Sequence, residues 1–138
     1  MVVRRLPRVQ EIILPVLREQ LPGVKCGSWV EAVDLRQMPL INVRRLGGLD
    51  VDLDFLGKPT IELTAYSADG LVGTEDLYLD ARQVIWDMVQ NQTVTPLGYL
   101  HSFRETMGPT QFDSPYDDTW RIQGLIQLGV RPPRNTQE

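Results

Sequence analysis

The stretch "PTIELTAYS" at residues 59–67, followed after a short break by "TEDLYLDARQVIWDMV" at 74–89, decides the fold class. The first segment alternates with period two. Ile61, Leu63 and Ala65 fall on one face, and Thr60, Glu62, Thr64 and Tyr66 on the other, as in a strand with one side in the core. The second segment changes period. Leu77, Ala81, Val84, Ile85, Met88 and Val89 recur as the stripe of an amphipathic helix, while Asp80 and Arg82 face away. Thr74 is placed to cap this helix, with Glu75 and Asp76 in its first turn. The helix fades at "QNQT". A strand leading into a helix, with further strands on either side, predicts an α+β domain.

Working toward the N-terminus, Val9, Ile12, Ile13, Val16, Leu17 and Leu21 define one apolar face of a helix over residues 7–21. Pro7 suits its first turn. Pro15 removes a hydrogen bond to the Glu11 carbonyl, so a bent helix or two short ones is expected. Strands follow at 24–30 ("VKCGSWV") and 38–46 ("MPLINVRRL"), the latter with Ile41 and Val43 opposite Leu40 and Asn42. "LDVDLDFL" alternates acid and apolar. As an extended segment it sets Asp50, Asp52 and Asp54 on one face and Val51, Leu53 and Phe55 on the other. Toward the C-terminus, strands are expected at 98–106 and 119–130, separated by a Gly/Pro-bearing loop. Trp120, Ile122, Gly124, Ile126 and Leu128 share a face of the last strand. Few helical crossovers mean a mostly antiparallel, possibly mixed, sheet with two helices on one face. Residues 1–131 are expected to form one such domain, and 132–138 a flexible tail.

Composition narrows the function classes. The chain has 138 residues, 42% hydrophobic and 23% charged, which fits one folded domain and not a disordered chain. No apolar run approaches the roughly 20 residues of a membrane helix. The basic but interrupted start is unlike a signal peptide. With one cysteine, no internal disulfide is available. The net charge of −4 gives no general support for nucleic-acid binding. Charge is unevenly spread: residues 1–48 hold eight bases and four acids, and residues 49–90 two bases and nine acids. Such a split suits either an ordinary solvated surface or a protein with oppositely charged faces that stacks on partners.

Catalytic chemistry finds little footing. Cys26 and His101 stand far apart in the chain, and neither zinc ligation nor a thiol dyad is suggested by their spacing. Asp50, Asp52 and Asp54 match the first positions of a calcium loop, but Phe55 stands where the loop needs glycine and Ile61 where it needs glutamate. No serine lies in a nucleophile elbow, and no glycine run forms a phosphate cradle. No catalytic residue, metal site or cofactor is expected. Arg4, Arg5, Arg8, Arg44 and Arg45 are basic enough to touch phosphates, yet Arg44 and Arg45 lie on opposite faces of a strand and no groove-reading motif accompanies them.

Partner binding has better local support. "SPYDDTW" at 114–120 sets Tyr116 and Trp120 beside Asp117 and Asp118, combining two aromatic anchors with acids able to steer a basic partner. A capped turn with Trp120 in the core explains the same residues equally well. "GGLDVDLDFLGKP" at 47–59 reads as a projecting hairpin or a plain exposed excursion. The candidate interface residues are Arg44, Arg45, Asp50, Asp52, Asp54, Tyr116, Asp117, Asp118 and Trp120.

The sequence as a whole resembles the tail terminator, or tail completion, proteins of long non-contractile-tailed bacteriophages, nearest to versions from actinobacterial phages. The likeness is carried by "LPRVQEIILPVLREQLPGVKCGSWV", "MPLINVRRLGG", the 59–89 strand and helix, and "PYDDTWRIQGLIQLGVRP". It spans nearly the whole chain and rests on apolar periodicity and turns. The resemblance implies a virion structural protein without an active site. It implies a homo-hexameric ring on the head-proximal end of the tail tube, formed during assembly in the host cytoplasm. The ring stops polymerisation of the major tail tube protein and docks the head–tail connector, while genomic DNA passes through its channel without specific binding. No membrane is involved. Channel lining by Asp50, Asp52 and Asp54 is a further expectation. A head–tail stopper or adaptor remains the close competitor, and a small enzyme a more distant one.

Overall fold

The structure, a computed structural model, describes residues 5–28 and 38–133. Helix α1 (Val9–Gln20) precedes strands β1 (Lys25–Gly27), β2 (Leu40–Gly48) and β3 (Pro59–Ser67). Helix α2 (Gly70–Gln90) and strands β4 (Tyr99–Phe112) and β5 (Trp120–Arg131) complete the order. The strands form one sheet in the order β1-β2-β3-β5-β4. Every neighbouring pair is antiparallel except β1 with β2, which is parallel. The sheet is therefore mixed and mostly antiparallel, as expected. Trp29 and Val30 of the expected first strand, Arg4, and residues 134–138 of the expected tail lie outside the described residues.

Both helices pack on the same face of the sheet. The register makes Val43, Leu63 and Gly124 neighbours in one row, Ile41, Ala65 and Ile122 in the next, and Ile61 and Ile126 in a third. Every apolar member of these rows is at most 4% exposed. Val9, Ile12, Ile13 and Leu17 of α1, and Tyr78, Ala81, Ile85 and Met88 of α2, close over them. The period-two and period-3.6 stripes thus meet as one core.

Local chemistry explains where elements differ from expectation. α1 is a single helix despite Pro15. Pro15 and Glu11, whose carbonyl loses its partner, are both exposed, so water replaces the bond. The helix begins after Pro7, with Arg8 as its N-cap. α2 starts four residues before the expected cap. Ser67 Oγ accepts the Asp69 N–H at 2.9 Å, and Gly70 takes a positive φ of 85° at the helix entry. Thr74 is instead a fully buried helical residue whose hydroxyl donates to the Gly70 carbonyl at 2.7 Å. β4 continues through the expected loop as far as Phe112. Register shifts between Leu100 and Ser102, Glu105 and Met107, and Met107 and Thr110 absorb the glycine and proline there.

The largest departure is at 49–57. It is not an extended segment with an acidic and an apolar face. The Val51 and Asp52 N–H groups both donate to the Leu56 carbonyl at 3.0 Å, closing a tight loop. Asp52 Oδ1 accepts from the Asp54 and Phe55 N–H groups at 2.8 and 3.2 Å, a side-chain-capped turn. Val51, Leu53 and Phe55, expected on the face opposite the acids, are exposed.

Candidate interface

The open side of the sheet is the first surface that gathers predicted residues. Arg44 and Glu62 are cross-strand partners on β2 and β3, with Arg44 Nη2 3.3 Å from Glu62 Oε2. Next to them, Thr64 Oγ1 lies 3.3 Å from Gln123 Oε1, which also accepts from Arg121 at 2.5 Å. The Arg121 guanidinium lies 5.3 Å from the centre of the Phe112 ring. Tyr116 reaches this face from the β4–β5 turn and tilts against Tyr66, ring centres 5.4 Å apart. Burial, opposed by the Arg121 charge, pushes the Tyr66 hydroxyl above its usual range. Thr64 is on this outward side, as expected, and is buried.

The turn that delivers Tyr116 is built by hydroxyls. Ser114 Oγ and Thr119 Oγ1 are 2.6 Å apart, the Tyr116 N–H donates to Ser114 Oγ, and Thr119 donates to the Tyr116 carbonyl at 2.7 Å. Asp118 takes a positive φ of 57°, which aspartate tolerates better than most residues. Asp117 and Asp118 are exposed, while Trp120 is half-buried opposite Ser67. The turn is capped and has an exposed acidic tip, while Trp120 stands at the margin of the core rather than in it.

Arg45 points away from Arg44, as the strand alternation requires. Its Nη2 lies 3.5 Å from Asp50 Oδ1, and its Nε donates to the Gly47 carbonyl. The two line a cleft of about 510 Å³ with Arg5, Arg8, Leu53 and Asp54. Beyond it the 49–57 loop exposes Leu49 (84%), Val51 (69%), Leu53 (74%) and Phe55 (62%). The loop is anchored at its end, where Gly57 and Val130 exchange backbone hydrogen bonds of 2.9 and 2.8 Å.

Two features were missed in the sequence. Trp86 on α2 is 41% exposed and meets Phe103 edge-on at 5.2 Å; its position outside the apolar stripe was the available signal. Glu105 of β4 receives Arg82 Nη1 at 3.0 Å and lies 3.3 Å from the Tyr78 hydroxyl. Desolvation and the Glu105 carboxylate raise the Tyr78 hydroxyl well above its ordinary range, so it stays protonated and donates. Pairing with Glu105 also explains why Arg82, expected to face away, is only half exposed.

The candidate chemical residues are not brought together. Cys26 is in edge strand β1 and His101 in edge strand β4, separated by four strand spacings, roughly 19 Å. Burial raises the Cys26 thiol above its usual range, and desolvation with Arg131 and Lys58 lowers the His101 imidazole. Among the described residues no three acidic, histidine or cysteine side chains cluster as metal ligands. None of the described helices is long and apolar enough to cross a membrane.

Known proteins resemble the chain along nearly its whole length. The model of a family described as phage tail termination protein matches residues 5–137. The Gene 22 protein of Mycobacterium phage D29 is 52% identical over 135 residues, covering 95% of this chain and 97% of that protein. The Gene 22 protein of Mycobacterium phage L5 is 53% identical over 136 residues, covering 96% and 98%. With the match running through both helices and all five strands, the chain belongs to the family of phage tail termination proteins, structural components that end the tail tube.

Proposed function

We propose that the chain acts as a homo-hexameric ring on the head-proximal end of the tail tube. There it covers the end on which the next tube subunits would add, and offers the head–tail connector a new surface. The family match across residues 5–137 carries this reading. A ring built from one chain needs two different, complementary surfaces per subunit. The open sheet side, with Arg44 and Tyr116, and the β2–β3 loop, with Arg45, Asp50, Asp52 and Asp54, are the surfaces we assign to neighbours. Asp117, Asp118 and Trp120 belong to the same candidate set.

The exposed apolar side chains of the 49–57 loop favour contact with a tail protein over lining of a DNA channel. Leu49, Val51, Leu53 and Phe55 form an apolar cluster of the kind that marks protein contact sites. Asp50 and Asp52 are occupied by Arg45 and by backbone N–H groups. DNA passes the ring without specific binding in this reading. Electron microscopy of purified tail tubes mixed with the chain tests it. Ring-shaped density at one tube end is expected; tube ends that stay bare at saturating protein would overturn it.

A further inference from the structure

The two broad faces of the subunit carry opposite charge. On the open sheet side, Lys58 and Thr60 of the β3 line, Arg44 of β2 and Arg104 of β4 surround Glu62 and Gln127. Register places Arg104, Gln127 and Thr60 in one row and Arg44 beside Glu62. Lys58 Nζ reaches Ser102 Oγ across the same side at 3.1 Å. With Arg121, four cations on the strands thus stand against the one strand carboxylate, Glu62, while Asp117 and Asp118 lie at the exposed tip of the turn that brings Tyr116 to this side, in a chain whose net charge is −4.

The opposite face is shared by α1, whose exposed Arg8, Glu11, Arg18 and Glu19 balance, and by the outer side of α2. Val72, Glu75, Asp76, Asp80, Gln83, Trp86 and Asp87 are exposed along it. The helix has one base, Arg82, and it is committed to Glu105. The stripe is poorly arranged for a helix that ends its life in water. Asp76 and Asp80 are like charges four residues apart. Asp87 sits in the last turns, which contain no base to offset the helix dipole. A cationic surface laid over α2 relieves both.

The sheet edges are worse candidates. β1 has three residues, and β4 is broken by three register shifts and carries His101, Arg104 and Pro109. Those are devices that discourage strand addition.

Resting on the ring reading above, we propose that successive subunits meet face to back. The Arg44–Lys58–Arg104 side of one sheet lies on the acidic outer face of α2 of the next copy. The contact is heterologous, so it generates a ring when its rotation closes. Trp86 supplies an aromatic anchor within an otherwise polar contact.

Paired charge reversals test this. One variant carries Arg44→Glu and Arg104→Glu; the other carries Asp76→Lys and Asp80→Lys. Assembly is followed by particle mass, with tube ends added as seeds, and folding by circular dichroism. Each variant alone is expected to lose ring formation at least tenfold. Their equal mixture is expected to regain it, because acid then meets base at every junction of an alternating even-numbered ring. A single variant that assembles like the wild type, or folded variants whose mixture stays unassembled, would overturn the proposal. A chain with Arg104→Cys and Asp80→Cys gives an independent reading, since Cys26 is buried. Under oxidation it should yield a ladder of cross-linked oligomers, and a purely monomeric product counts against the contact. A wild-type chain that never assembles, even on tube ends, removes the ring itself and this contact with it. Rings that persist through both reversals remove the contact alone.

Discussion

Gly124 of β5 leaves the space that Tyr78 fills. A Cβ there would collide with the Tyr78 hydroxyl and come within 2.8 Å of the Met107 carbonyl oxygen. Gly124→Ala should therefore cost about 1–3 kcal/mol, the range for an overpacked core, read as a lowered urea midpoint. Tyr78 also sets an alkaline limit. Its folded-state pKa is raised above the usual 10, so its contribution to stability is whole below pH 10 and falls as pH rises beyond it. Stability measured across that range should decline less steeply in Tyr78→Phe; an unchanged slope would contradict the assignment. Cys26 is 4% exposed with its thiol pKa raised. Thiol reagents should modify it only as fast as the protein opens. Little of this residue-scale detail was legible in the sequence. The partnership of Tyr78 with Gly124, and of Tyr66 with Tyr116, depends on strand order, which local periodicity does not encode.

At the scale of elements, β3 and the body of α2 were legible because each has one buried face and a clean period. Their boundaries were not. α2 starts on a glycine with positive φ and a serine-assisted turn, while Thr74, the apparent cap, turned inward. The 49–57 loop misled for a related reason. Alternation of acid and apolar residues is also what a capped turn presents when its apolar side chains face solvent. Arg44 and Arg45 on opposite faces followed directly from strand geometry. The outer face of α2 was readable as an acidic stripe, yet its meaning appears only beside the cationic sheet face. Two outcomes belong here. Asp80→Asn removes a like-charge pair and should stabilise the isolated subunit by about 0.2–0.5 kcal/mol, measured by thermal melting, while weakening ring assembly. Leu53→Ser with Phe55→Ser should shift stability by no more than about 0.5 kcal/mol per site, as for other exposed positions. The same pair should abolish binding to tube ends in a pelleting assay.

Among the described residues the molecule is a two-layer plate with helices on one side; on the other, the end of the sheet around Arg44 and Arg104 is exposed while Leu40, Thr64, Tyr66 and Gln123 are buried, and an apolar loop projects near the N-terminal approach to α1. That architecture distributes surfaces. The sheet side draws its cations from early, middle and late in the sequence, as Arg44, Lys58, Arg104 and Arg121, while the outer face of α2 draws its acids from the middle. The family's task of ending a tube is served by such a plate, since closing a ring and meeting two different neighbours both require distinct faces on one small subunit. The central claim is that this chain stops tube growth, and tail length measures it most directly. Tubes assembled from purified tube protein should run to heterogeneous, excessive lengths without the chain and hold a narrow length distribution with it. Identical length distributions in the two conditions would contradict the account.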